Sequence, residues 1–224
     1  MDGTVGGRSG LGEGAEREGV IGVVVCGGAS RRMGEDKGSL RLGSGVLLEG
    51  AIGALDEVCD EVVLACGLEA RYAEFGLRLV LDTEGGRGPL EGIAASLEAT
   101  GAEWALVLAC DLPRIVAEVP AVLLGRARAE EMDACLLESR RGSEPLIAVY
   151  RWTCLAPMRE ALAGGRRRVD SFHGLMRADG GCLGIGVLTE DEFTGETRRL
   201  DVAHNLNTPL DLAVERARQA EVIA

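Results

Sequence analysis

The chain has 224 residues, with 24 Lys and Arg against 36 Asp and Glu, a formal net charge of −12, and 46% apolar residues. That balance fits one water-soluble globular domain large enough to fold without a metal or disulfide staple. It argues against duplex nucleic acid as a partner, because phosphates need Lys and Arg to neutralise them. The longest apolar stretch, Trp104 to Cys110, falls far short of the ~20 residues of a membrane span.

Residues 1–18 are Gly-rich and polar without a period, and read as a flexible tail. They lack the basic region and apolar core of a secretory signal. Residues 19–224 read as one domain. Val20–Cys26 (VIGVVVC) is a β-branched run ending at Gly27-Gly28, and reads as a buried strand. Leu47–Leu55 suits a helix, Glu61–Ala65 a second strand, Glu69–Phe75 a short helical piece and Leu77–Leu81 a third strand. Leu90–Ala99 reads as a helix with Pro89 just before its first turn. Trp104–Ala109 is wholly apolar and reads as a fourth strand buried on both faces. Ile115–Glu130 is expected as helix, Asp133–Leu137 and Leu146–Tyr150 as strands, and Trp152–Leu162 as helix. Gly184–Leu188 is expected as a late strand and Pro209–Ala220 as a closing helix with Thr208 at its N-cap. Strands alternating with helices in this way imply a single-domain, three-layer α/β/α fold around a mostly parallel, Rossmann-like sheet. Such sheets bind ligands beyond the carboxyl ends of their strands, where strand order reverses.

Three segments at those ends carry chemistry. The first, Cys26-Gly-Gly-Ala-Ser-Arg-Arg-Met-Gly-Glu-Asp-Lys37, follows the first strand. Its glycines let backbone N–H groups approach an anion, and Arg31, Arg32 and Lys37 bring three cations into one loop of an acidic protein. It is neither a Walker A loop nor GxGxxG. The second is Ala109-Cys-Asp-Leu-Pro113, where Asp111 is the first polar residue after an apolar strand. A carboxylate there suits Mg²⁺, which takes one or two protein carboxylates and fills its shell with water and substrate phosphates. It equally suits the cap of a helix starting near Ile115. The third joins Asp82, again first after a strand, to the segment from Gly85 to Gly92, which either wraps a ligand or is a mobile surface loop. No nucleophilic constellation accompanies them, since the only histidines are His173 and His204 and GxSxG is absent. Positioning and cations without a protein nucleophile suit phosphoryl or nucleotidyl transfer. The seven cysteines are odd in number, lack CxxC spacing and lie away from both histidines in sequence, so a reducing cytoplasm is expected and a zinc site is not.

With these residues in view, GGASRRMGEDK resembles the signature of nucleotidyltransferases with a MobA-like fold, and more narrowly of the molybdenum cofactor guanylyltransferases. The segments Gly88-Pro-Leu-Glu-Gly92, Ala109-Cys-Asp-Leu-Pro113 and Glu144-Pro-Leu-Ile-Ala-Val-Tyr150 are similar to that family's GPLAG, (P/A)CD-x-P and P-x-x-A-L-Y segments. Gly165-Arg-Arg-Arg-Val169 and Asn205-Leu-Asn-Thr-Pro209 resemble its G-x-R-R turn and N-x-NTP helix start. The resemblance implies the nucleotide-diphospho-sugar transferase type of fold and Mg²⁺-dependent transfer of GMP from GTP onto the phosphate of molybdopterin. It implies Val25, Cys26 and Gly27 at the nucleoside through backbone atoms, and Gly28, Arg32 and Lys37 at the triphosphate. Asp82 falls beside the nucleoside and Asp111 on Mg²⁺. Arg167, Arg168, Asn205 and Asn207 fall on the acceptor side, although Asn207-Thr208 also reads as a helix cap. Transient contacts with cofactor-delivery proteins follow from the same family, with no role for nucleic acid or membrane. CTP as donor, a sugar phosphate as acceptor, and a non-catalytic nucleotide-binding module remain alternatives. Two departures stand out: Cys26 replaces the family's Ala, a small change that fits where only backbone is used, and Ala65-Cys66-Gly67 lacks the polar residue that many relatives carry there, which bears on base selectivity.

Overall fold

The computed structural model describes residues 18–27, 37–42, 45–85 and 87–223. Its strands are β1 (Val20–Val25), β2 (Arg41–Leu42), β3 (Gly45–Val46), β4 (Glu61–Gly67), β5 (Arg78–Leu81), β6 (Trp104–Ala109), β7 (Ala134–Ser139), β8 (Gly142–Arg151) and β9 (Ile185–Thr189). Its α-helices are α1 (Leu47–Asp56), α2 (Pro89–Thr100), α3 (Glu118–Ala129), α4 (Leu155–Ala163) and α5 (Pro209–Ile223).

Among the described residues, seven strands form one sheet in the order β5-β4-β1-β6-β8-β7-β9, and β2 pairs with β3 in a separate ribbon. β1 lies parallel to β4 and β6, β5 parallel to β4, and β9 parallel to β7, while β8 runs antiparallel to β6 and β7. The apolar runs that looked doubly buried sit at the centre: β1 is buried along its whole length, and β6 at every position but Ala109. Alternation assigns each residue a face. Val20 and Val24 join Leu106 and Leu108 against α1 and α3, whereas Ile21, Val23 and Val107 join α2 and α4. The chain walks outward from β1 through β4 to β5, then crosses back to β6 on the other side of β1. Strand order therefore reverses between β1 and β6, and any ligand crevice is expected there.

Local chemistry explains the element ends. α2 starts with Pro89 at its first position and stops at Gly101, whose left-handed backbone lets its N–H reach Leu97 O at 2.8 Å. Four expectations shift. α3 begins at Glu118, not Ile115, and Trp152–Cys154 is a 3₁₀ turn ahead of α4. β8 begins at Gly142 and carries a register shift opposite Leu136 and Leu137, so its polar first half did not read as strand. The helical piece after β4 shrinks to the 3₁₀ turn Ala73–Phe75. No helix among the described residues is long and apolar enough to cross a membrane.

Candidate active site

Register sets the geometry of the rim. Val25 pairs with Ala65 of β4 on one side and with Ala109 of β6 on the other. Cys26-Gly27, the Cys66-Gly67 end of β4 and Cys110-Asp111 therefore stand at one level, on neighbouring strands ~4.8 Å apart. The N–H groups of Cys26 and Gly27 both donate to Ala65 O, at 3.0 and 2.9 Å, and Cys110 N donates to Val25 O at 3.2 Å. Arg71 reaches back to donate to Cys26 O at 3.0 Å. Gly27 lies so close to β4 that a Cβ on it would come within 2.6 Å of Gly67 N. Cys26 and Cys66 share an Sγ···Sγ contact of 3.7 Å, and that hydrogen bond, then burial, holds the Cys26 thiol far above its ordinary pKa. Cys26 thus presents a neutral, buried side chain and leaves this corner to its backbone.

Gly28 and Arg32, expected at the triphosphate, lie outside the described residues. Lys37 opens the 3₁₀ turn Lys37–Ser39. Gly38 sits over Tyr72, where a Cβ would fall 2.7 Å from the ring hydroxyl. Leu40 packs with Leu47, Leu206 and Leu212. The returning segment is thereby held between the loop after β4 and the segment leading into α5.

That same segment holds Asp111. Leu206 N donates to Asp111 O at 3.0 Å, which brings Asn205 and Asn207 beside the loop after β6. Asp111 is half-buried. It does not cap α3, which starts at Glu118 with Ala117 at its N-cap. The alternative for Asn207-Thr208 does hold in part: Thr208 Oγ1 accepts the Asp211 N–H at 3.2 Å, and Asp211 Oδ2 accepts the N–H groups of Asn207 and Thr208 at 2.9 and 2.8 Å. The Asn207 amide donates to Asn205 Oδ1 at 2.8 Å.

On the other flank, Asp82 N donates to Gly67 O at 2.7 Å, so Asp82 belongs to the same rim, one strand beyond Gly67. Burial, and next the charge of Glu91, push its carboxyl above the usual range, with Arg159 opposing. Glu91 stands where the resemblance has Ala, and it is fully buried. Its Oε1 accepts from Thr83 Oγ1 at 3.2 Å and Arg159 Nη1 at 2.9 Å, while Arg87 Nη1 lies 3.7 Å from Oε2. Gly88 of the Gly-rich segment is closely packed: it has φ +72°, and a Cβ there would meet Arg167 O at 3.0 Å. Arg167 therefore stands beside the start of α2. Arg168 spends its guanidinium on Asp170 at 2.7 Å with 85% of its side chain exposed, as a surface ion pair.

Arg71, Tyr72, Glu91 and Arg114 were not anticipated at this rim. Arg71-Tyr72 lie in the first loop after β4, a place the strand pattern had marked, but nothing in the local sequence says that Arg71 folds back onto Cys26.

The donor set fits Mg²⁺. Asp111 offers a single carboxylate at the reversal point, and among the described residues no group of three or more His, Cys, Asp and Glu gathers into a metal cage. One protein carboxylate, with water and substrate phosphate completing the shell, is the usual pattern of a shared Mg²⁺ site.

A family model described as the MobA-like NTP transferase domain matches residues 22–176. The probable molybdenum cofactor guanylyltransferase of Pelotomaculum thermopropionicum is 33% identical over 196 residues, covering 87% of this chain and 91% of that protein. The molybdenum cofactor guanylyltransferase of Shewanella halifaxensis is 29% identical over 154 residues, covering 67% of this chain and 77% of its own. Among solved structures, molybdopterin-guanine dinucleotide biosynthesis protein A from Archaeoglobus fulgidus superposes with a TM-score of 0.75 at 22% identity, covering 90% of this chain and 99% of that one. The 2-C-methyl-D-erythritol 4-phosphate cytidylyltransferase from Thermus thermophilus gives a TM-score of 0.61 at 16% identity over 92% of this chain and 100% of that one, a likeness of fold alone. The chain belongs to the MobA-like NTP transferase family, and within it to the molybdenum cofactor guanylyltransferases, which are nucleotidyltransferases.

Proposed function

We propose that the protein transfers GMP from GTP onto the terminal phosphate of molybdopterin, forming the guanine dinucleotide cofactor and releasing pyrophosphate. The observation that carries this reading is the pairing of Val25 with Ala109, which sets Gly27 and Asp111 side by side where strand order reverses. The backbone of Val25, Cys26 and Gly27, with Asp82, receives the nucleoside. Gly28, Arg32 and Lys37 hold the triphosphate, and Asp111 holds Mg²⁺. Bound there, Mg²⁺ would supply positive charge against the crowded phosphate oxygens. A phosphate oxygen of the acceptor attacks the α-phosphorus, the bond from that phosphorus to the bridging oxygen breaks, and pyrophosphate leaves with the electron pair. The acceptor oxygen is already anionic, so no protein base is needed, and Arg32 and Lys37 neutralise charge that builds on the leaving group. Asn205, Asn207 and Arg167 flank the acceptor's approach, with Arg168 at its outer edge. We place the reaction in the cytoplasm, with the acceptor passed on by transient protein contacts.

The test is pyrophosphate release from GTP, Mg²⁺ and molybdopterin, beside melting temperatures with GTP, CTP, ATP and UTP. Release requiring all three components, with GTP the most stabilising nucleotide, is the expected result. A larger effect of CTP transfers the reading to cytidylyl chemistry. GTP binding without pyrophosphate release leaves a silent binding module.

A further inference from the structure

The first turn of α2 carries a charge into the interior. Glu91 is fully buried there, and burying a carboxylate is costly unless it is paired. Its partners come from three places. Thr83 Oγ1, after β5, donates to Oε1 at 3.2 Å, and Arg159 Nη1, from α4, donates to the same oxygen at 2.9 Å. Arg87 Nη1, ahead of α2, stands 3.7 Å from Oε2. Each arginine also has a second carboxylate: Arg159 Nε donates to Glu98 at 2.8 Å, and Arg87 Nε to Glu84 at 3.0 Å. One buried side chain thus joins the segment after β5, the start of α2 and α4.

This junction lies against the nucleoside flank of the rim. Asp82 N donates to Gly67 O at 2.7 Å, and the next residue, Thr83, is tied to Glu91, so the chain is held on both sides of the Asp82 side chain. Gly92, next to Glu91, lets α2 approach β4 so closely that a Cβ on it would lie 3.0 Å from Ala65 Cβ and 3.8 Å from Asp82 Oδ1. Ala65 O in turn accepts the N–H groups of Cys26 and Gly27. The two carboxyl groups feel each other, since the charge of Glu91 is, after burial, the next cause that raises Asp82. Glu91 stands where the family's GPLAG segment has Ala, and Ala65-Cys66-Gly67 lacks the polar residue that many relatives carry. The chain has lost a polar group on the β4 side of this corner and gained a buried anchor on the β5 side.

We infer that Glu91 is a positioning residue for nucleotide binding: through Thr83 and the start of α2 it fixes Asp82 where the nucleoside is received. Being buried, it acts through these neighbours and not by touching the substrate. The inference rests on the nucleoside lying beside Asp82. Because Asp82 serves the nucleoside and not the reacting phosphates, loss of Glu91 weakens binding and spares the rate at saturation.

The experiment measures the Kd of GTP with Mg²⁺ by calorimetry on the full chain, beside kcat at saturating GTP and molybdopterin. The variants are Glu91→Ala, Glu91→Gln, Asp82→Ala and the double replacement of Asp82 and Glu91 by Ala. Glu91→Ala should fold, because Arg159 keeps Glu98 and Arg87 keeps Glu84. It is expected to raise Kd about 10-fold with kcat nearly unchanged, the sign of lost uniform binding. Glu91→Gln, which keeps an oxygen for Thr83, should restore most of the affinity. In the Asp82→Ala background, replacing Glu91 should change Kd by less than about twofold, because the two residues act as one unit. Thr83→Val removes only the hydroxyl that ties Asp82's neighbour to Glu91, and is expected to weaken GTP binding as well, which keeps the test open if Glu91→Ala does not fold. A normal Kd in a Glu91→Ala protein that melts early makes Glu91 a purely structural residue and overturns the inference. So does an equal loss of affinity with and without Asp82. Tighter binding of CTP than of GTP removes guanylyl transfer instead, and the same cycle run with CTP then decides the role of Glu91. A wild type that binds no nucleoside triphosphate overturns both.

Discussion

Arg114 sets both Nε and Nη2 on Glu215 Oε2, at 3.0 and 2.7 Å, across 101 positions of sequence. Glu215 is fully buried in α5, and Arg218 donates to its other oxygen at 3.0 Å. The pair clamps the loop that carries Asp111 onto the last helix, next to the hydrogen bond from Leu206 N to Asp111 O.

Breaking that clamp should cost stability and turnover together. Glu215→Gln leaves a buried guanidinium half-served, at about 3 kcal/mol, the low end for buried pairs because Arg114 keeps some access to water. Burial pushes the Glu215 carboxyl up, but Arg114 and Arg218 outweigh it and hold it below its ordinary value. Its contribution is therefore present above the unfolded pKa of about 4.3 and lost as pH falls through the lower folded value. Urea melts should show a wide gap between wild type and Glu215→Gln at pH 7 that closes at acid pH. A constant gap means that the charge is not the cause.

Asp111→Asn keeps the shape of the side chain and removes its charge. Turnover should fall about 10²-fold or more, judged by the usual loss of an electrostatic stabiliser. The stabilisation that GTP gains from Mg²⁺ should disappear in the variant. Pyrophosphate release at the wild-type rate would remove Asp111 from the mechanism.

Asp82 carries the opposite sign to Glu215. Burial and the nearby charge of Glu91 raise its carboxyl, so ionising it weakens the fold, and its contribution is lost as pH rises through the folded pKa. Asp82→Asn should raise the melting temperature at pH 7 by about 1–2 °C, a small gain because the group is partly exposed and screened. At pH 4 the gain should vanish. GTP should bind more weakly to the same variant, which is the usual exchange of stability for function at a site.

The sheet centre was legible because β1 and β6 are apolar on both faces, which leaves a continuous run that no amphipathic helix reproduces. β2 and β3 were not, since two residues each carry no period. The first half of β8 was missed for a different reason: Gly142 to Pro145 overhang the rim and need no apolar side chains. Asp82 and Asp111 could be picked out as the first polar residues past apolar strands. Arg71, Arg114 and Glu215 could not, because what gives them a role is a partner brought in by the fold.

Two kinds of glycine should separate site geometry from chain entropy. Gly50 and Gly53 lie on the exposed face of α1, where an added Cβ meets nothing within 4 Å. Replacing either with Ala should stabilise the protein by about 0.5–1 kcal/mol, through helix propensity and a less flexible unfolded chain, and leave the KM for GTP alone. Gly27 differs because its added Cβ would lie 2.6 Å from Gly67 N and 2.9 Å from the Cys66 carbonyl carbon, both backbone atoms that cannot rotate aside. Gly27→Ala must therefore widen the gap between β1 and β4, straining the bonds from Cys26 and Gly27 to Ala65 O. The expected cost is about 1–3 kcal/mol of stability, with a KM for GTP that rises because the loop toward Lys37 starts from a displaced point. A Gly27→Ala protein with normal KM and normal melting would show that the nucleotide does not depend on the close approach of these two strands.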